Sequence, residues 1–180
     1  MVIYGLGNNT QRYFTTRHNV GRLLLESLSG EKFTAKDTYL YRRVDPHYHL
    51  LTSGFMNESG LPLVHFTKYF KPPADTLLIL QDDSDQLEGR VKLVQGGGSA
   101  GHHGINSIYR HLVATDYDLD SVWRLKIGIR PEGNRLKSET FVLKPNSALI
   151  TQTLGELAAK LQDLPAQPDW ARLQTLMNTK

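Results

Sequence analysis

The run Thr76-Leu77-Leu78-Ile79-Leu80-Gln81 constrains the fold more than any other stretch of the chain. An unbroken aliphatic segment without alternation predicts an interior strand covered on both faces. Such a strand needs helices above and below it, and the flanking sequence supplies them. Asn19 to Leu28 sets Val20, Leu23, Leu24, Leu25 and Leu28 on a helical stripe that ends near Gly30. Glu58 to Phe70 reads as mostly helical, with Gly60 and Pro62 in its first turn and Pro72-Pro73 stopping it. Ile105–Val113 and Ala148–Leu161 predict two more helices. Val2–Leu6, Arg90–Gln95 and Val122–Ile129 predict strands, as do Tyr39–Val44 and His49–Thr52 around an Asp45-Pro46 turn. Strands interleaved with helices imply an α/β fold: one globular domain over residues 1–180, a central mixed β-sheet flanked by helices on both faces.

The 180 residues are enough for one domain with a real core, since a chain of this length buries about 70% of its unfolded surface. The net charge of +3 tolerates a polyanionic partner without demanding one. Cysteine is absent, which excludes disulfides, a thiol nucleophile and a cysteine-based zinc site, and suits a reducing cytosol. Met1-Val2-Ile3-Tyr4 lacks the basic start of a signal peptide, and no run of about 20 apolar residues spans a membrane. The cytoplasm is the expected location, with no membrane association. Nothing asks for an obligate protein partner, so a monomer is expected.

In open α/β sheets the site lies beyond the carboxyl ends of the strands. Asn8, Asp82 and the glycine-rich loop Gly96–Gly104 would meet there. His18 stands beside two carboxamides, Asn8 and Asn19, after the first strand. An imidazole takes up a proton near neutral pH, and amides hold an uncharged polar substrate; His18 could also simply cap or begin the following helix. Asp82 stands at the end of the apolar strand, opening the acidic run Asp82-Asp83-Ser84-Asp85. The spacing fails the pattern of a calcium loop, so no metal is assigned; hydrogen bonding of Asp82 to an imidazole is the better use. Phe55-Met56-Asn57 offers a carboxamide with apolar neighbours, suited to a peptide-like group, although Phe55 and Met56 also suit a core and Asn57 a helix cap.

The glycine-rich segment Gly96–Gly104 contains His102 and His103. It lacks the Lys-Ser/Thr of a P-loop and the context of a dinucleotide fingerprint, so no cofactor is expected. Gly97-Gly98-Ser99-Ala100-Gly101 matches a nucleophile elbow in form, but no histidine follows an acid beyond Ser99, and the required chain order fails.

Together these segments resemble bacterial-type peptidyl-tRNA hydrolase over nearly the whole chain. The matching text is Gly5–Asn8, Tyr13 with Thr16–Asn19 and Gly21, Phe55–Gly60, Asp82 with Asp85, Gly89, Gly101–Ile108 and Arg124–Pro131. The resemblance implies hydrolysis of the ester joining a peptide to the 3′ ribose of tRNA, with peptidyl-tRNA as the partner. His18 would be the general base, Asp82 would orient it, and Asn8 would hold the substrate near the scissile ester. Tyr13, Phe55, Met56 and Asn57 would line the tRNA-end and peptide site, His102 and His103 the opposite wall, and Lys126 would grip phosphate. A member that binds RNA without hydrolysing it is the alternative. The chain departs from the usual family text at Asn9-Thr10, at Gln81, at Val94 in place of a phosphate-binding cation, and at His103 in place of asparagine. An imidazole cannot copy the donor–acceptor pair of an amide.

Overall fold

The computed structural model describes residues 1–30, 32–72, 77–115 and 117–178, so the expected Thr76 and Pro73 boundaries lie outside the described residues. Among these residues one seven-stranded sheet runs in the order β2-β3-β4-β1-β5-β7-β6. Its strands are β1 (Val2–Gly5), β2 (Thr34–Lys36), β3 (Tyr39–Val44), β4 (His47–Thr52), β5 (Leu77–Leu87), β6 (Val91–Gln95) and β7 (Trp123–Arg130). The helices are α1 (Val20–Ser29), α2 (Gly60–Phe70), α3 (His103–Leu112), α4 (Ala148–Leu161) and α5 (Trp170–Met177). β1 lies parallel to β4 and β5, and β5 parallel to β7. The outer pairs β2–β3, β3–β4 and β6–β7 are antiparallel. This is the mixed sheet that the pattern predicts.

Alternation along β1 and β5 divides their apolar residues between two layers. Val2, Tyr4, Leu77 and Ile79 face Leu63 and Phe66 of α2 and Ile105 and Ile108 of α3. Ile3, Leu78 and Leu80 face Leu24 and Leu25 of α1, Ile150 and Leu157 of α4, and Leu173 of α5. Each such fully buried side chain contributes about 1.5–3 kcal/mol relative to an exposed one. The central strand therefore anchors both helical layers.

Several boundaries differ from expectation, two of them at the site. β5 does not stop before the acidic run but continues through it to Leu87. β7 supplies the ladder there, with Asp82 opposite Ile127 and Asp83 opposite Gly128. A Cβ on Gly128 would lie 2.1 Å from the Leu87 carbonyl oxygen, so glycine lets the shifted strand pass. α3 begins at His103, two residues early, because His102 caps it. β2 and α5 add to the expected elements: β2 is only three residues long, and α5 is apolar at Trp170, Leu173, Leu176 and Met177 but only eight residues long. α5 is secured by Trp170 stacked on Trp123, centroids 4.6 Å apart.

α1 approaches the sheet so closely at Gly21 that a Cβ there would sit 2.1 Å from the Leu80 carbonyl oxygen. The obstacle is backbone and cannot rotate away. Gly21→Ala is expected to destabilise the protein by about 3 kcal/mol, at the upper end of overpacking costs. Urea unfolding checks this; a midpoint equal to the wild type would contradict the close contact.

A second local arrangement couples stability to pH. His49 of β4 is buried, and its Nδ1 lies 2.7 Å from Ser29 Oγ. The hydroxyl proton goes to the Leu25 carbonyl at 2.7 Å, so His49 Nδ1–H donates to Ser29. Burial, then the neighbouring His47 and Arg42, lowers the His49 pKa from 6.5 to about 4. On acidification the unfolded chain takes up this proton first, so stability is complete above pH 6.5 and falls as the pH drops towards 4. The expected loss from this group is about 2 kcal/mol between pH 7.5 and pH 5. Thermal unfolding at the two values should show a smaller drop for His49→Gln than for the wild type; equal drops would remove His49 as the cause.

Candidate active site

β5 outruns β1. Gly5, the last residue of β1, pairs with Leu80, and Leu6 N–H donates to the Leu80 carbonyl at 3.0 Å, leaving Asp82 beyond the edge. Alternation places the Asp82 side chain on the same face as Leu78 and Leu80, the face covered by α1. His18 reaches it from a 3-10 turn, Arg17–Asn19, immediately before α1. That turn is stitched to the segment after β7: His18 N–H donates to the Val142 carbonyl at 2.8 Å and Arg17 N–H to the Lys144 carbonyl at 3.0 Å. The Arg17 guanidinium, itself buried, pairs with Glu88 and donates to the Ile129 carbonyl.

His18 Nδ1–H donates to Asp82 Oδ1 at 2.9 Å, across 64 residues of sequence. Burial opposes a charged imidazole, but the charge of Asp82 and its hydrogen bond prevail and lift the His18 pKa above its ordinary 6.5. Burial likewise opposes the Asp82 carboxylate. The attraction of His18 and His102, with their hydrogen bonds, outweighs it and holds the acid well below the usual carboxylate range. Asp82 is therefore ionised, and the dyad is a base carried on a buried anion.

The second imidazole is His102, whose Nε2 lies 2.8 Å from the same Oδ1. Its Nδ1 accepts the backbone N–H groups of Gly104 and Ile105 at 3.1 and 3.3 Å, capping α3. Both ring nitrogens are thus committed inside the protein, while the ring helps line the cavity. The two histidine rings stand 5.2 Å apart at 45°. Among the described residues these three are also the one grouping of metal-ligand type, with facing atoms within 4.8 Å. Their N–O separations are those of direct hydrogen bonds. The rest of the acidic run is engaged elsewhere. Asp83 Oδ2 pairs with Lys126 at 2.7 Å, and Asp83 also accepts from Gln86 and from the Asp85 N–H.

The two amides near His18 prove unequal. Asn19 is wholly buried and clamps Asn8: its Oδ1 accepts the Asn8 N–H at 2.8 Å, and its Nδ2 donates to the Asn8 carbonyl at 3.0 Å. The expectation that Asn19 holds substrate gives way to this internal role, because both ends of its amide are taken. Asn8 Oδ1 accepts the Met56 N–H at 2.9 Å, while its amino group makes a long 3.5 Å bond to Asn19 Oδ1 that engages one of its two N–H groups. Met56 itself is 3% exposed and packs in the core, and its contact with Asn8 is made by its backbone N–H.

His18, Asp82, His102, His103 and Lys126 line a cavity of about 310 Å³, closed on another side by Ser138, Glu139 and Val142. This last segment gave no sequence signal; its backbone bonds to residues 15–18 and the burial of Phe141 in the core bring it here. A neighbouring hollow of about 540 Å³ shares His103 and is lined by Asn57 and Arg110. A third, of about 490 Å³, shares Asn57 and Arg110 and reaches Asp37 and Leu61. The dyad lines the smallest of the three, and chemistry rather than volume marks it as the candidate reaction site. Phe55 is 49% exposed and Asn57 exposed, whereas Tyr13 is half-buried beneath the Arg12 guanidinium.

The family model described as peptidyl-tRNA hydrolase matches residues 2–179. The peptidyl-tRNA hydrolase of Desulfotalea psychrophila is 38% identical over an alignment covering 89% of this chain and 88% of its own. That of Corynebacterium efficiens is 36% identical, with coverage of 91% and 93%. The crystal structure of peptidyl-tRNA hydrolase from Acinetobacter baumannii superposes with a TM-score of 0.83 at 26% identity, over 99% of this chain and 94% of that one. With its sequence matched nearly end to end and its backbone superposed on that enzyme, this chain belongs to the peptidyl-tRNA hydrolase family.

Proposed function

We propose that the chain frees tRNA by hydrolysing the ester between a peptide carboxyl and the 3′ ribose, with His18 as the general base. One observation carries this reading: His18 Nδ1 is fixed on a buried carboxylate while its Nε2 has no partner among the described residues, and the ring lines the cavity. In the neutral ring Nε2 holds the free lone pair. It takes a proton from water as the water oxygen bonds to the ester carbon. Asp82 stabilises the imidazolium that forms. The tetrahedral intermediate then collapses, the bond from carbon to the 3′ oxygen breaks, and the Nε2 proton passes to that oxygen. The peptide leaves as a carboxylate after losing its proton to solvent. An ester is labile enough for one base and positioned donors to suffice.

Asn8 donates to the developing oxyanion with the amide N–H that its long bond to Asn19 leaves over, the amide being held at its other end by the Met56 N–H. Phe55, Tyr13 and Asn57 offer stacking and amide contacts for the RNA end and peptide, and His103 joins two hollows along that path. Lys126 contributes positive charge to the cavity, although a phosphate must draw it away from Asp83. Residues 1–180 act as one unit, a monomer in the cytoplasm; among the described residues no helix is long and apolar enough to cross a membrane.

Purified protein given N-blocked aminoacyl-tRNA tests the reading. Release of free tRNA is expected. Tight binding without release would leave an RNA-binding module, and equal activity on simple esters without tRNA would make the chain a small-molecule esterase.

A further inference from the structure

Asp82 is not a private partner of His18. One oxygen, Oδ1, accepts from His18 Nδ1 at 2.9 Å and from His102 Nε2 at 2.8 Å. The direction of the second bond is settled by the start of α3. Two backbone N–H groups converge on His102 Nδ1, so that atom must present a lone pair, and the proton of the neutral ring sits on Nε2 facing Asp82.

We propose that His102 is a positioning residue for this hydrolysis: by donating to the oxygen that His18 also uses, it fixes the Asp82 carboxylate and divides its charge between two imidazoles. The inference rests on His18 being the base. A carboxylate oxygen that accepts two N–H groups cannot rotate towards either one alone, and each bond is weaker than an unshared bond would be. His18 is accordingly less basic than a lone His–Asp pair would make it, and more of it is neutral at the pH where it must accept a proton. Because His102 is the cap of α3, this setting is tied to a rigid element and not to a loop.

The other charged groups facing the cavity do not duplicate this contact. They are Asp83 and Asp85 on β5, His103 on α3, Lys126 on β7 and Glu139 after β7. Asp83 and Lys126 pair with each other, and Asp85 lies 3.8 Å from Arg130. Among the described residues only His18 and His102 bond to the Asp82 side chain.

His102→Asn separates the two duties of the residue. Asparagine is a good helix cap, but its amide is too short to reach Asp82. In this variant Asp82 serves His18 alone, so the acid limb of the kcat/KM profile should move up by about one pH unit, with about tenfold lower activity at pH 6 and activity within about twofold at pH 9. His102→Gln, whose longer amide can donate to Asp82, should bring the limb back towards the wild type. NMR titration of the His18 ring should show the same displacement without reference to turnover. In the wild type, ¹⁵N shifts should place the His102 proton on Nε2. A proton on Nδ1, or a His18 titration unmoved in His102→Asn, would overturn the proposal. Failure of the general-base reading looks different: His18→Ala would keep its activity whatever His102 does.

Discussion

His18→Ala is expected to lower kcat on N-blocked aminoacyl-tRNA by about a hundredfold to ten-thousandfold, the usual share of a general base. The loss should fall on kcat, because the base acts in the transition state and adds little to ground-state binding. The fold should survive. The turn carrying His18 is held by backbone bonds to Val142 and Lys144, which an alanine keeps. The imidazole side chain is 13% exposed at the cavity wall, and its removal opens a space that water can enter. Single-turnover hydrolysis alongside a tRNA-binding titration gives both quantities. A variant that retains a tenth or more of wild-type kcat would show that another group activates the water.

Asp82→Asn is expected to reduce kcat by about a hundredfold, with tRNA affinity nearly unchanged. The amide oxygen can still accept from both imidazoles, so the geometry persists, but the charge that stabilises the imidazolium is gone. The pH profile should change in a definite direction. In the wild type the base must be neutral, so activity is lost as pH falls through a His18 value lying above 6.5. Without the anion, burial alone acts on His18 and pushes it below 6.5. The variant should thus be slow yet flat down to about pH 6, where the wild type is already declining. An unmoved acid limb, or parallel losses of binding and rate, would show that Asp82 does not act through His18.

Much of this was open to reading in the residues themselves. The run ending in Leu80-Gln81 is too apolar to be anything but an interior strand, and the stripe over α1 could bury only one face. The same approach ended β5 too early, because an acidic stretch carries the marks of a turn. Its strand geometry comes from β7, whose backbone pairs with Asp82 and Asp83. The pairing of His18 with Asp82 was reachable from side-chain chemistry, since an imidazole after one parallel strand and an acid just past the apolar run of its neighbour meet at the same sheet edge. The third member was not. Nothing in the order of residues says that His102 turns one nitrogen to its own helix and the other to Asp82. Nor does it say that Asn19 spends both ends of its amide on Asn8.

Hydrophobic periodicity alone determined an α/β sheet layered on both faces, because burying those stripes admits few arrangements. Residue type alone determined which groups were able to exchange a proton. Only the tertiary structure decided which nitrogen faces which oxygen, which amide is left to donate, and that Lys126 shares its charge with Asp83. These outcomes depend on hydrogen-bond distances a few tenths of an ångström wide, set by elements far apart in the chain, and no local pattern of residues encodes them.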